Sequence, residues 1–260
     1  MPLPASREGT TQVTTGSKSI PERWENYSPC GEQIGDSPFV AFKVPLKPCM
    51  FNKQTSKDRR WTLKIMLEKL PGLVSVIDLT NTNRYYNPKD LQKLRAKINR
   101  SAPTPVDNTN SFDGRLINEV DDKESKSNND KTENDSKSYL DIDQNTLLAQ
   151  PMNLKYTKIY TKGHFIPSGK VVKKFFKSVD EVMATRPNGL IGVHCTHGVN
   201  RTGYLICRYL IEKLDWAPDD AIEAFAKYRG HPIERKNYLD DLRKLRSERR
   251  ILGTDLLKTI

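Results

Sequence analysis

The segment LIGVHCTHGVNRTGY, residues 190–204, constrains the fold of this chain more than any other. Its apolar start at 190–193 is typical of a buried strand, and the residues from Thr202 onward have helical periodicity. Between them lies a seven-residue loop, 195–201. Such a loop directs its backbone N–H groups and the dipole of the following helix toward one point. The segment therefore predicts an anion-binding loop at the carboxyl end of a strand.

The side chains of this loop predict nucleophilic chemistry on a phosphate. The positive potential should hold Cys195 as a thiolate. Arg201 offers a planar fork for two phosphate oxygens, and Gly198 permits the turn. We expect Thr202 to donate a hydrogen bond to the sulfur, and His194 to orient the loop rather than to titrate. The residues predicted to bind phosphate are Thr196, His197, Gly198, Val199, Asn200 and Arg201.

Short apolar runs alternate with helical patterns elsewhere in the chain. Strands are predicted over 39–44, 73–79, 154–160 and 190–193, and helices over 61–70, 91–98, 168–182, 202–214, 218–229 and 238–245. This alternation predicts an α/β fold with a central, mostly parallel, twisted sheet flanked by helices.

Two polar stretches interrupt this pattern. Residues 1–20 are rich in Ser, Thr, Gly and Pro, and residues 118–137 read NEVDDKESKSNNDKTENDSK. Neither stretch has enough apolar surface to offset the entropy of ordering. We therefore predict a disordered leader over 1–20, one catalytic domain over 21–250 that a disordered acidic insertion interrupts at 101–150, and a tail over 251–260.

The charge divides along the same boundaries. The 260 residues include 43 Lys and Arg against 32 Asp and Glu, a net charge of +11. Residues 101–148 hold eleven acidic and five basic side chains, a net of −6, so the remainder carries +17. A strongly basic domain favours a polyanionic partner, although charge alone does not identify it.

Several classes of protein are disfavoured. No apolar run approaches the ~18 residues of a transmembrane helix, and residues 1–20 lack the apolar stretch of a signal peptide. The four cysteines show no CxxC pairing, which argues for a reducing compartment. His194, Cys195 and His197 have no second ligand cluster that would complete a zinc site. We expect a monomer that needs neither metal nor cofactor and does not bind membranes.

The pattern His194-Cys195-x5-Arg201-Thr202 resembles the signature of cysteine-dependent phosphatases. HCTHGVNRTGYLICRYL is most similar to the RNA-directed branch, which includes the RNA triphosphatase domain of metazoan mRNA capping enzymes, baculovirus RNA phosphatase and the RNA/RNP-complex-interacting dual-specificity phosphatase. Further stretches resemble the last two: IPERWENY (20–27), FVAFKVPL (39–46), VIDLTNTNRYY (76–86) and RGHPIERKNYLDDL (229–242). The resemblance implies metal-independent hydrolysis of the 5′-terminal phosphates of RNA.

One departure from protein phosphatases bears on the substrate. Those enzymes usually place an Asp general acid well before the nucleophile, whereas this chain has no Asp or Glu between Gln144 and Val179. A phenolate leaving group, with a pKa of about 10, needs that acid. A phosphate leaving group, with a second pKa of about 6, needs it little. The lack of an acidic residue therefore favours a triphosphate end as the substrate. His164 is the candidate to act as general acid in its place.

The sequence thus predicts an RNA 5′-triphosphatase or diphosphatase with a phosphocysteine intermediate. The alternatives are a dual-specificity protein phosphatase and, from another class, a non-enzymatic RNA-binding adaptor. RNA with a 5′-triphosphate or 5′-diphosphate end is the expected partner, alone or in a ribonucleoprotein. The basic run RKLRSERR, 243–250, fits a nuclear signal, an RNA contact or an exposed helix end equally well. We expect a nuclear protein, with a cytoplasmic pool as the alternative.

Candidate contacts to the RNA lie in the family-like stretches. Arg84, Arg229 and Arg235 are candidates for the phosphates beyond the one attacked, and a solvated charge or structural ion pair explains each of them equally well. Tyr85 or Tyr86 is the candidate to stack on the first nucleotide. Packing in the core is the more common role for such tyrosines.

Overall fold

The computed structural model describes residues 19–52, 55–101 and 153–245. Nearly all of the predicted leader, nearly all of the predicted insertion and all of the predicted tail lie outside these residues. None of the helices that the structure describes is long and apolar enough to cross a membrane.

A five-stranded sheet forms the centre of the fold. Its strands are β1 (Cys30–Gln33), β2 (Phe39–Lys43), β3 (Leu73–Asp78), β4 (Lys155–Lys158) and β5 (Leu190–Cys195). Their order is β1-β2-β5-β3-β4, and only β1 runs antiparallel to its neighbour. The predicted α/β class with a mostly parallel sheet is confirmed.

Six α-helices within the described residues flank the sheet. They are α1 (Leu63–Lys69), α2 (Pro88–Ser101), α3 (Gly169–Thr185), α4 (Asn200–Leu214), α5 (Pro218–Arg229) and α6 (Lys236–Leu242). Short 3-10 turns lie at Trp24–Asn26, Pro48–Met50 and Lys57–Arg59. The start of α5 has Pro218 at its first position and Asp219 in its first turn, which favours a helix N-terminus.

Both faces of the sheet are buried, as parallel strands require. Successive side chains of a strand point to opposite faces. In β2, Phe39 and Ala41 belong to a core cluster that includes residues of α3, α4 and α5. Val40 and Phe42 belong to a second cluster that includes residues of α1 and Leu91 of α2. Helices therefore cover the sheet on both sides and leave its carboxyl edge for the site.

Strand β1 is the element that the sequence did not predict. Its residues, CGEQ, are polar and show no apolar alternation. Gly31 lies so close to the end of α5 that an added Cβ would sit 2.5 Å from the backbone oxygen of Tyr228. Pairing with β2 and this close approach of α5 hold the strand, and neither contact is visible in the local sequence.

Candidate active site

The predicted loop joins the central strand to a helix. Strand β5 ends at Cys195, and α4 begins at Asn200, two residues earlier than predicted. Gly198 has a φ of +67°, and a Cβ added there would lie 2.1 Å from the backbone oxygen of Phe42. Only glycine fits both the left-handed backbone and the packing against β2. The sheet therefore fixes the curvature of the loop.

The Cys195 thiol is buried, with 3% of its surface exposed. Burial alone would raise its pKa, but the Arg201 guanidinium and hydrogen bonds from Thr202 and the Val199 amide outweigh this effect and lower the pKa. A lowered pKa favours the thiolate, which is the nucleophilic form. The local electrostatics agree with the role predicted for Cys195.

Thr202 is fully buried in the first turn of α4. Its hydroxyl has no hydrogen-bond partner among the described residues. The hydroxyl and the Thr202 amide both lower the pKa of the neighbouring Cys195 thiol. The hydroxyl lies close to the sulfur, and its donation of a hydrogen bond to the sulfur stays a prediction.

Arg201 is half-buried at the start of α4. Its Nη1 donates to the Thr161 carbonyl at 2.9 Å and to the Leu79 carbonyl at 3.3 Å, and its Nη2 donates to Thr196 Oγ1 at 3.0 Å. These neutral acceptors hold the fork without a carboxylate that would neutralise it. The charge thus remains available to an anion in the loop.

Arg229 has a different position from the one predicted. It is 1% exposed and donates to the carbonyls of Gly198 at 2.9 Å, His197 at 3.0 Å and Ser28 at 2.9 Å. Burial lowers its pKa to about 10, so the side chain stays charged at neutral pH. The expectation that Arg229 contacts a substrate phosphate is wrong because its donors are used on the backbone of the loop.

His197 and Asn200 anchor the outer part of the loop. The His197 ring stacks on Tyr27 with centroids 4.8 Å apart, and its Nε2 lies 2.8 Å from the carbonyl oxygen of Glu22. Asn200 Oδ1 accepts from the amide of Glu234 at 2.9 Å, and its Nδ2 donates to the Glu234 carboxylate at 3.2 Å. Both side chains therefore bind protein, which leaves their backbone amides for the predicted contact with phosphate.

Glu234 links three elements around the loop. Besides Asn200, its carboxylate accepts from Tyr27 Oη at 2.6 Å and from Arg23 at 3.0 Å. Burial would raise the pKa of Glu234, but the hydrogen bonds and the Arg23 charge lower it. The carboxylate is therefore ionised and structural.

His194 lies under the loop and is fully buried. Its Nε2 is 2.7 Å from Tyr86 Oη, and its Nδ1 is 3.2 Å from the Cys195 carbonyl oxygen. Burial lowers its pKa, although the nearby Asp78 carboxylate opposes the effect. A neutral, hydrogen-bonded ring agrees with an orienting role.

Tyr85 and Tyr86 lie in the core, where their rings are not accessible to a ligand. Both are buried, at 6% and 5% exposed, and pack in the cluster formed by α1 and β2. The Tyr86 hydroxyl is used by His194. The expectation that one of these rings binds the first nucleotide is therefore wrong.

The remaining candidate contacts stay at the surface. Arg84 is exposed, 5.0 Å from the Tyr85 ring centroid. Nη2 of Arg235 lies 3.4 Å from His164 Nε2, and the Arg235 amide donates to Asn200 at the start of α4. The structure thus brings Arg235 and His164 together at the edge of the loop. Their contacts with substrate stay predictions.

Lys43 is a functional candidate that sequence reasoning missed. It ends β2 opposite Cys195, is buried, and donates to the carbonyls of Trp24 at 3.2 Å and Tyr27 at 2.8 Å. Burial lowers its pKa to about 8. Asp78 likewise ends β3, opposite His194. Lys43 and Asp78 could both have been found from the sequence, because each is a charged residue at the carboxyl end of an apolar run.

The arrangement has the parts needed for phosphate hydrolysis. The buried Cys195 thiol, whose pKa is lowered, lies in a loop whose amides and Arg201 present positive charge to one point. An anion there would place its phosphorus against the sulfur. The catalytic roles of the individual residues remain predictions from this geometry.

Comparisons of the sequence with known proteins agree with this interpretation. A family model for the dual specificity phosphatase catalytic domain matches residues 123–248. The tyrosine-protein phosphatase of Autographa californica nuclear polyhedrosis virus is 35% identical over 223 residues, which are 86% of this chain and 98% of the viral one. Among solved structures, that of PTPMT1 has a TM-score of 0.45 at 16% identity, covering 83% of this chain and 92% of that one.

A second relative is longer than this chain. The RNA/RNP complex-1-interacting phosphatase of Bos taurus is 36% identical over 234 residues, which are 88% of this chain and 53% of the bovine protein. The chain therefore spans about half of that relative. The resemblance seen in the motif extends over most of the sequence, and the chain belongs to the dual specificity phosphatase family as a cysteine-dependent phosphatase.

Proposed function

We propose that this phosphatase removes the terminal phosphates from RNA with a 5′-triphosphate or 5′-diphosphate end. The observation that carries the proposal is the composition of residues 159–168, between β4 and α3. Arg201 binds the Thr161 carbonyl of this segment at 2.9 Å, which places the segment beside the cysteine loop. It contains no Asp or Glu. A phosphate leaving group tolerates this lack, and a phenolate does not.

The carboxylates on neighbouring elements do not replace the missing acid. Asp78 is buried, accepts from Thr80 and Tyr156, and lies 2.9 Å from the Lys158 ammonium. Burial would raise its pKa, but the Lys158 ammonium and the hydrogen bonds from Thr80 lower it. Glu234 is ionised in the same way. A general acid at neutral pH needs a raised pKa, so neither residue suits that role.

The proposed reaction has two steps. The Cys195 thiolate attacks the terminal phosphorus, the bond to the bridging oxygen breaks, and that oxygen leaves with its electron pair on the shortened RNA end. Water then attacks the phosphocysteine, loses a proton, and releases phosphate and the thiolate. The loop amides and Arg201 stabilise the equatorial oxygens in both steps.

Two further observations support RNA as the substrate. The bovine relative is named for its interaction with an RNA/RNP complex. The chain outside residues 101–148 carries a net charge of +17, which favours association with a polyanion. On the same grounds we propose ribonucleoprotein as a partner and the nucleus as the location.

Protein dephosphorylation is the second candidate. The matched family model describes dual specificity phosphatases, and the viral relative is named a tyrosine-protein phosphatase. His164, exposed next to Arg235, is the group that would have to protonate a phenolate leaving group. An adaptor without activity has no such support, since these relatives are named phosphatases.

One assay separates the two candidates. The protein is incubated with chelator and either a 5′-triphosphate RNA or a phosphotyrosine peptide, and phosphate release is followed. We expect the RNA to react faster, without added metal, and Cys195→Ser to abolish the reaction. Faster turnover of the peptide would contradict the substrate, and RNA hydrolysis that needs metal or survives Cys195→Ser would contradict the mechanism.

A further inference from the structure

Exposed apolar side chains are concentrated beside the cysteine loop. The described part of the chain exposes four large apolar side chains, and three of them lie within one seven-residue stretch: Tyr160 at 55%, Phe165 at 68% and Ile166 at 43%. We call these three residues, two of which are aromatic, the aromatic rim. Single exposed apolar residues are common, but a cluster of them next to a site indicates a binding surface.

The rim is tied directly to the phosphate site. Thr161, next to Tyr160, accepts the 2.9 Å hydrogen bond from Arg201. Tyr160 Oη accepts from Asn83 at 2.7 Å, and Asn83 immediately precedes the exposed Arg84. A ligand whose phosphate is bound by Arg201 would therefore have its next groups beside the rim.

The backbone of the rim is held in place while its rings stay exposed. Buried Tyr238 donates to the Phe165 carbonyl at 2.7 Å, and Asn237 donates to the His164 carbonyl at 3.3 Å. His164 has a φ of +74°, a left-handed conformation that a non-glycine residue adopts only when its surroundings hold it. A fixed backbone lowers the entropy lost when a ligand binds.

The charge around the rim is positive. Arg235 lies beside His164, and Lys158 Nζ lies 5.0 Å from the Tyr160 ring centroid while it also pairs with the buried Asp78 carboxylate at 2.9 Å. Lys162 is exposed within the stretch, and residues 153–179 contain no acidic side chain. Aromatic faces surrounded by cations are the usual means of binding single-stranded nucleic acid.

We propose that Tyr160 and Phe165 stack the bases at the 5′ end of the RNA, and so perform the role that Tyr85 and Tyr86 cannot. The proposal rests on the proposed RNA phosphatase function and adds the site that selects a nucleotide over inorganic polyphosphate. Stacking tolerates every base, so the rim would favour RNA ends without favouring a sequence.

The test compares two substrates across matched variants. For 5′-triphosphate RNA we expect Phe165→Ala and Tyr160→Ala each to raise KM roughly 5- to 100-fold, with kcat little changed. Inorganic tripolyphosphate has no base, so its KM should not change. Phe165→Trp keeps an aromatic ring at this position, so its KM for the RNA should match that of the wild type. Leu214→Ala, which removes the fourth exposed apolar side chain at the far end of α4, is the control and should have no effect.

The outcomes distinguish the two proposals. If the wild-type protein does not hydrolyse triphosphate RNA, the proposed function is wrong. If the wild type hydrolyses it but neither alanine variant changes the RNA KM, the rim does not bind bases, and docking of a protein partner becomes its explanation. Equal changes for RNA and tripolyphosphate would mean that the substitutions disturb the loop, and would also overturn the proposal.

Discussion

The two sides of the cysteine loop are built in opposite ways. On one side, Arg229, Ser28, Tyr27, Asn200 and Glu234 form a network of hydrogen bonds that we call the braced side. On the other side, the carbonyl of Thr161, next to Tyr160, accepts from Arg201 of the loop, and the aromatic rim exposes its rings.

The difference assigns separate tasks to neighbouring residues. The braced side uses its donors and acceptors on the protein, so it fixes the shape of the loop and has little left for a ligand. The rim keeps much of its surface exposed, which leaves its rings accessible to a ligand. Arg229 and Arg201 illustrate the contrast, since the first holds loop carbonyls and the second remains beside the thiolate.

The largest effect should come from the shape of the loop itself. In Gly198→Ala the new Cβ would lie 2.1 Å from the Phe42 carbonyl oxygen, at a φ of +67°. We expect phosphatase activity to fall on the order of 100-fold or more, because small displacements of reacting groups are this costly. The measurement is kcat/KM on a small phosphate ester.

Gly72→Ala is the matched control for that substitution. Gly72 has no neighbouring atom within 4 Å of an added Cβ, so activity should be retained. Near-normal activity of Gly198→Ala would mean that the loop does not depend on its packing against β2, and the contrast between the two sides would lose its basis.

Removing the central donor of the braced side should have the next largest effect. Arg229→Met leaves the carbonyls of His197, Gly198 and Ser28 without a donor. We expect the free energy of unfolding to fall by about 2–4 kcal/mol, since buried unsatisfied acceptors are costly. Urea denaturation followed by tryptophan fluorescence measures this change.

Arg229→Lys distinguishes charge from geometry at the same position. It keeps the cation but loses the planar fork, so it should recover only part of the lost stability. Full stability of Arg229→Met would show that the braced side is dispensable.

A smaller effect should appear in the titration of the nucleophile. Arg201 and Thr202 lower the pKa of the Cys195 thiol against the effect of burial. Arg201→Met and Thr202→Val should therefore both shift the pH midpoint of Cys195 alkylation upward, the first by more. Iodoacetamide labelling at a series of pH values, read at Cys195 by mass spectrometry, measures the shift.

The same titration separates the two arginines. Arg229→Met should move the midpoint less than Arg201→Met if the braced side acts mainly through shape. Cys207 is an internal reference, because it is fully buried and its pKa is raised by burial, so it should stay unlabelled. A midpoint that does not rise in Arg201→Met would contradict the proposed source of the thiolate.

The smallest effect is expected for the acidic insertion. Deleting residues 101–148 removes a net charge of −6 and no residue of the braced side or the rim. Activity on a short triphosphate RNA should be unchanged in a folded deletion variant, as judged by its circular dichroism and kcat/KM. A large loss of activity would show that the insertion does more than connect two parts of the domain.

The candidate site was predicted unevenly. Cys195, Gly198, Arg201 and Thr202 were assigned from sequence because they lie within eight residues of one strand–loop–helix segment. Arg229 and Tyr86 were candidates for substrate contact because they lie in stretches that resemble the family. Their positions depend on long-range packing, since Arg229 bonds to Ser28 from 201 residues away and Tyr86 to His194 from 108.

The sequence by itself determined the α/β class, the mostly parallel sheet and the anion-binding loop, because hydrophobic periodicity and the loop motif are local properties. Only the tertiary structure decided which arginine supports the loop, that Tyr86 is buried against His194, and that Tyr160 and Phe165 are exposed beside Arg201. Burial and hydrogen bonding depend on which distant segments pack together, and residue type does not specify that packing.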